Sequence, residues 1–335
     1  QMCIRDRTVA AAFPTTVAPI MQVGAVPVFV DIDIPSYNMD MSMLEKAYSN
    51  KTKAVFIAHS LGNPFNLKAA KEFCDSHNLW LIEDNCDGLG GTYELDGVTY
   101  KTGTIGDIGT SSFYPAHQMT MGEGGAVYSS NPLLHKIIRS MRDWGRECVC
   151  TGGQDNLCGH RFDGQFGTLP AGYDHKYVYS HLGYNLKVTD MQAAIGAAQL
   201  KKLPGFVKAR QEHWDYLRAG LDDMKDYYIL PEKEKSSEPC WFGFILTVKP
   251  ESGKNRNEIV KFLEDNNIQT RNLFAGNITR HPCFEQFREG VDYRIAETLE
   301  VTDHVMNNSF WVGVYPGMTT PMLDEMIKKI KEAVQ

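Results

Sequence analysis

Three cysteines, Cys148, Cys150 and Cys158, fall within eleven positions of a glycine-rich stretch. Thiolates this close on a pliant backbone suit zinc or an iron–sulfur cluster. Cys86 follows the acids Glu83-Asp84 after one residue, and two readings of it stay open: a fourth ligand, or a small buried apolar side chain. Cys74 has apolar neighbours and suits a core, and Cys240 and Cys283 have no partner at ligand spacing. The uneven spacing of the eight cysteines argues against a disulfide framework and for a reducing, cytoplasmic setting. Glu83-Asp84 closes the apolar run Leu79–Ile82. An acid at a strand end either caps a following helix or meets a ligand.

These groups need a scaffold, and the apolar pattern supplies one. Pro27–Ile32, Ala54–His59 and Leu79–Asp84 read as buried strands, with helical patterns at Leu44–Ser49 and Lys68–His77 between them. That alternation predicts crossover connections and a mostly parallel α/β sheet, with ligands gathered beyond the carboxyl ends of the strands. His59, Asn63, Asp84 and Cys86 stand at such ends. Asn131–Trp144 reads as a helix opened by Asn131-Pro132, and the loop 145–183 that follows is long enough to be functional or disordered. Asp190–Leu200 is a helix of small residues, and a helix is expected over Val207–Leu221 after a break at Leu203-Pro204-Gly205. Trp241–Val248 and Ile268–Arg271 read as strands, Asn257–Asn266 and Thr320–Val334 as helices. The expected division is a large domain over 8–205 and a smaller α/β domain over 206–335.

The run Ser112-Phe113-Tyr114-Pro115-Ala116-His117, followed by Gly124-Gly125, resembles the cofactor segment of the DegT/DnrJ/EryC1/StrS sugar aminotransferases. In that family a lysine in the sixth place carries pyridoxal phosphate; here the place is held by His117, which can move a proton but cannot form the covalent tether. The resemblance implies an aspartate-aminotransferase-like fold, the fold type I of pyridoxal phosphate transferases. It further implies that Asp84, with Asp87 beyond it, and Ser112 meet the cofactor, and that Asn185 of Gly183-Tyr184-Asn185 reaches the neighbouring subunit's site in a homodimer. The combination of His117, the three clustered cysteines and Cys86 resembles the family's iron–sulfur dehydrating branch. That implies pyridoxamine 5'-phosphate, a [2Fe-2S] cluster held by Cys86, Cys148, Cys150 and Cys158, and a CDP-4-keto-6-deoxyhexose substrate. An NADH-dependent flavin/iron–sulfur reductase is the implied electron donor. His117 is then the base that takes a proton from the cofactor's C4′ carbon while the sugar loses its C3 hydroxyl.

Three rivals remain: an aminotransferase using Lys101, Lys176 or Lys187; a lysine-less 3-dehydrase that regenerates its cofactor with glutamate and needs no cluster, against which Cys148, Cys150 and Cys158 argue; and a non-catalytic, zinc-stabilised sugar-nucleotide binder. The net charge of −7 without a basic run argues against nucleic acid, and no apolar stretch approaches the roughly 20 residues of a membrane span. Residues 1–7 read as foreign and are expected to stand outside the fold, the chain being a fragment whose phosphate loop lies upstream of Thr8.

Overall fold

The computed structural model describes residues 5–150 and 153–335. In chain order it begins with β1 (Arg5–Val9), α1 (Pro14–Gln22), β2 (Val26–Val30), α2 (Leu44–Ala47), β3 (Thr52–Ala58), α3 (Leu67–His77) and β4 (Trp80–Asp84). Next come β5 (Thr92–Leu95), β6 (Val98–Lys101), β7 (Ile108–Ser112), β8 (Gly125–Tyr128), α4 (Pro132–Arg142) and α5 (Asp190–Leu200). Then follow α6 (Leu203–Gly220), β9 (Tyr228–Ile229), β10 (Ser237–Glu238), β11 (Gly243–Val248), α7 (Arg256–Asp265) and β12 (Thr270–Arg271). The chain closes with β13 (Arg294–Ile295), α8 (Glu300–Asn308), β14 (Ser309–Gly313) and α9 (Thr320–Glu332).

Seven strands form one sheet in the order β13-β2-β1-β3-β4-β7-β8, parallel except for β8. β2 is buried along its whole length, as a strand covered on both faces must be. Ala58 pairs with Asp84 and Asp84 with Thr110. His59, Asp84 and Ser112 therefore leave the sheet at one carboxyl edge. The mostly parallel α/β architecture expected from the pattern is the one found.

Three local expectations are corrected. Residues 5–7 lie within the large sheet, as the start of β1, and Arg7 is buried with its guanidinium on the carbonyl of Ala47. Strand pairing uses backbone groups, so the charges of Asp6 and Arg7 hid this strand; residues 1–4 lie outside the described residues. Secondly, the run 8–16 reads in the sequence as a strand and loop, but its last three residues open the helix α1. Its two prolines and β-branched residues disfavour a helix, but Pro14 fits the first turn and Thr16, Val17 and Ile20 are buried. Thirdly, α6 begins at Leu203 rather than after Gly205, because Pro204 sits in a first turn where its missing N–H costs nothing.

A second sheet, β12-β14-β11-β9, is antiparallel. It packs a separate core with Trp214 and Leu217 of α6 and Leu323 and Ile330 of α9. Ile245, Leu273, Leu299 and Val305 instead join the first core. Asp31, after β2, accepts the amides of Val301 and Thr302 at the start of α8. The chain after residue 206 thus contributes to both cores.

Candidate active site

Glu83 and Asp84 end β4 with side chains on opposite faces, as strand alternation requires. Glu83 turns inward. It meets His59 Nε2 at 3.0 Å and accepts the amides of Gly103 and Ile105, each at 2.7 Å. Burial acts to raise its carboxyl, but His59 and the backbone donors outweigh burial and hold it below the ordinary range. Gly103 is at φ +83°, and a side chain there would strike the Tyr128 hydroxyl, so the turn Glu83 organises depends on glycine. Asp84 faces the carboxyl edge. Thr16 Oγ1 in α1 donates to it at 2.8 Å and the Cys86 amide at 3.2 Å. No helix begins after Asp84, so the capping role does not apply to it. Phe13, exposed at the start of α1, stands at the same edge, since β1 and β4 run in the same direction.

His117 lies in the turn after β7, its amide donating to the carbonyl of Tyr114 at 3.1 Å. Its Nδ1 stands 3.4 Å from Asp87 Oδ1, and its ring centroid 5.2 Å from that of Phe242. Burial pushes the Asp87 carboxyl above the ordinary range, against the opposing pull of His117. Gln118 anchors the turn by donating to the carbonyls of Asp87 and, at 3.1 Å, Cys240. His117 opens onto a cavity of about 1130 Å³ lined also by Arg210, Phe242, Trp311 and Tyr315. Such a space admits a ligand larger than a simple sugar.

The other residues singled out from sequence divide into three places. Ser112, at the end of β7, accepts the Tyr114 amide at 3.3 Å, the local role of a loop serine. Asn185 is exposed and accepts from Lys187 Nζ at 2.8 Å. Cys148, Cys150 and Cys158 line one small cavity together with His175, Arg161 and Asp155. Cys158 Sγ is 3.9 Å from His175 Nδ1, and His175 stacks on Phe166. The Leu157 amide lowers the Cys150 thiol, whereas burial raises that of Cys148. Among the described residues no three such groups already stand at metal-ligand spacing. Cys86 is not among the residues lining that cavity; its Sγ lies 4.0 Å from Thr110 Oγ1, and burial pushes its thiol up. His175 stands beside the three loop thiols on that cavity. Thr16, Phe13, Gln118, Arg210 and His175 went unread in the sequence. Arg271 and Tyr315 also line the large cavity, and His281 bonds the Ala275 carbonyl.

Fold and site together define an α/β protein of aminotransferase type, with an imidazole, His117, in the turn after β7. The model of the DegT/DnrJ/EryC1/StrS aminotransferase family matches residues 7–331, and the chain belongs to this family. It is 56% identical to the lipopolysaccharide biosynthesis protein RfbH of Salmonella typhimurium, over 97% of this chain and 72% of that protein. It is 49% identical to a dTDP-4-dehydro-2,6-dideoxy-D-glucose 3-dehydratase of Saccharopolyspora spinosa, over 98% of this chain and 69% of that protein. Among solved structures, a GDP-4-keto-6-deoxymannose-3-dehydratase with a trapped PLP-glutamate geminal diamine superimposes with a TM-score of 0.83. It is 26% identical, covering 99% of this chain and 80% of that one. The fold is that of the pyridoxal phosphate-dependent aminotransferases. Among the described residues no helix is long and apolar enough to cross a membrane.

Proposed function

We propose that the chain catalyses the dehydration step that removes the C3 hydroxyl of CDP-4-keto-6-deoxy-D-glucose, in the making of 3,6-dideoxyhexoses for lipopolysaccharide. The observation that carries this reading is His117, an imidazole in the lysine's place, backed by the Asp87 carboxylate and open to a large cavity. The names of the relatives, two of them sugar 3-dehydratases, support the same reaction class. CDP as the nucleotide rests on the motif resemblance.

The residues at the carboxyl edge fit pyridoxamine phosphate. Asp84 presents a carboxylate suited to a protonated ring nitrogen and Ser112 a hydroxyl suited to phosphate, and among the described residues no lysine lines the cavity onto which His117 opens. Lys176 pairs with Asp155 and Lys187 with Asn185 and Asp143, while Lys101 lies exposed on β6; this disfavours the aminotransferase reading. When bound, the cofactor supplies an amine for the sugar's ketone and a ring that takes up electrons. His117 would serve as the base, taking up a proton at Nε2, while Asp87, 3.4 Å from Nδ1, would fix the ring and balance the charge it gains. Gln118 holds the turn still, and Phe242 covers one side of the imidazole and limits water.

Removing the hydroxyl to leave a deoxy sugar requires two electrons. The thiols of Cys148, Cys150 and Cys158 on one cavity fit a [2Fe-2S] cluster by donor chemistry, with Cys86 or His175 as the further donor. An NADH-dependent flavin/iron–sulfur reductase is the proposed source. Exposed apolar side chains around Asn185 support a homodimer: Leu182 is 98%, Leu186 64% and Met191 77% exposed; the proposed setting is the cytoplasm, on the cysteine usage. Anaerobic purification with iron and sulfide analysis and a visible spectrum tests the proposal. The expected result is a [2Fe-2S] absorption bleached by dithionite; zinc without iron or sulfide sinks it in favour of a zinc-stabilised binder.

A further inference from the structure

A buried arginine in α6 plays no part in the chemistry above. Arg210 is 3% exposed, on the face of α6 that also buries Trp214 and Leu217. Its Nη1 donates to the carbonyls of Trp241, at 3.1 Å, and Val314. Its Nη2 donates to the carbonyl of His117 at 3.3 Å. The three carbonyls belong to three separate segments: the turn after β7, the run before β11 and the residue after β14. A guanidinium presents its donors in one plane and in fixed directions, so carbonyls that share one are fixed relative to each other.

The His117 turn has its own bonds, His117 N–H to Tyr114 O at 3.1 Å and Met121 N–H to Phe113 O at 2.8 Å. These set its shape but not its place on the second core. Gln118 and the Phe242 ring also tie it to the segment before β11; Arg210 adds a bond from the His117 carbonyl itself and joins that segment to the end of β14. Among the described residues no carboxylate lies within ion-pair distance of Arg210, so its donors are spent on carbonyls of these three segments.

We propose that Arg210 is a positioning residue, holding the His117 turn against β11 and β14 so that the imidazole meets the cavity at a fixed place. What the imidazole does there rests on the function proposed above; its placement by Arg210 does not. An error of about 1 Å in such a group costs on the order of a hundredfold in rate.

Hydrogen–deuterium exchange on Arg210→Lys and Arg210→Met tests this. Lysine keeps the charge with a single donor head, and methionine keeps most of the volume, so one folded variant suffices. In a folded variant, judged by circular dichroism, the His117 and Met121 amides are expected to exchange roughly tenfold faster or more. The same variant should lose roughly tenfold to a hundredfold in kcat with little change in KM, and less with lysine than with methionine. Wild-type exchange at both amides in a folded variant overturns the proposal, whatever the activity. Faster exchange in a chain whose wild type shows no dehydration supports the positioning role and removes only the functional reading.

Discussion

Asp87→Asn keeps the shape of the side chain and removes its charge from His117. The two groups stand 3.4 Å apart, and both are largely shielded from solvent. Two full charges at that distance interact by about 5 kcal/mol at an effective dielectric constant of about 20. Proton transfer is only partly complete in the transition state, so about half of this, roughly 2.5 kcal/mol, is at stake. That is a fall of roughly 70-fold in kcat, with KM for the sugar nucleotide little changed. The assay is steady-state turnover of CDP-4-keto-6-deoxyglucose with saturating pyridoxamine phosphate, NADH and the reductase. The same substitution has a second, opposite signature. Burial raises the Asp87 carboxyl, so the folded protein holds this proton more tightly than the unfolded chain does. The ionised group therefore opposes folding, with a cost that is absent below the ordinary value of 3.8 and grows as pH rises from there to the raised value. At pH 7 the Asn variant should melt at the wild-type temperature or above it while turning over slowly. A kcat within about threefold of wild type would refute the reasoning. So would an unchanged kcat with a raised KM for the cofactor, which would make Asp87 a cofactor contact.

Glu83→Gln should destabilise the protein by about 3 kcal/mol at pH 7, because it breaks a buried pair with His59. The lowered carboxyl of Glu83 contributes stability that is full above the ordinary 4.5 and lost as pH falls through its lowered value, so urea melts of variant and wild type should converge under acid conditions. Ile195→Arg on the exposed face of α5 should shift sedimentation from dimer towards monomer and lower activity with it, since Asn185 is proposed to serve the partner's site. A monomeric wild type would remove that reading. Cys150→Ser should lose iron, sulfide and colour. Comparing Cys86→Ser with His175→Ala then shows which of the two completes the cluster, as that variant loses iron alongside Cys150→Ser.

The parts of the fold written in apolar runs were legible: β3 and β4 lie where the pattern puts them, and α5 spans the expected Asp190–Leu200. β1 was hidden because two charged side chains, Asp6 and Arg7, lie in a parallel strand, and α1 because its prolines conceal a helix that tertiary packing stabilises. The hairpin of β5 and β6 has little burial to mark it. At the candidate site, Asp84 and His117 were singled out through motif register, which fixes position along the chain but not partners. The Asp87–His117 contact and the three carbonyls on Arg210 arise only from packing between segments distant in sequence. A lone arginine in a helix gives no sign that it faces inward. Cys86 shows the converse: closeness to an acid motif singled it out, while His175, distant from the three loop thiols in motif terms, gave no sign that it stands beside them.

The most direct test follows the proton assigned to His117. Pyridoxamine phosphate carrying deuterium at both C4′ positions is incubated with the protein and CDP-4-keto-6-deoxyglucose, and the cofactor is recovered for mass analysis. The account predicts loss of one deuterium to solvent, dependent on the sugar nucleotide, in the wild type and retention of both in His117→Asn. Release from His117→Asn at the wild-type rate, or recovery of an amino sugar from the wild type, would contradict it.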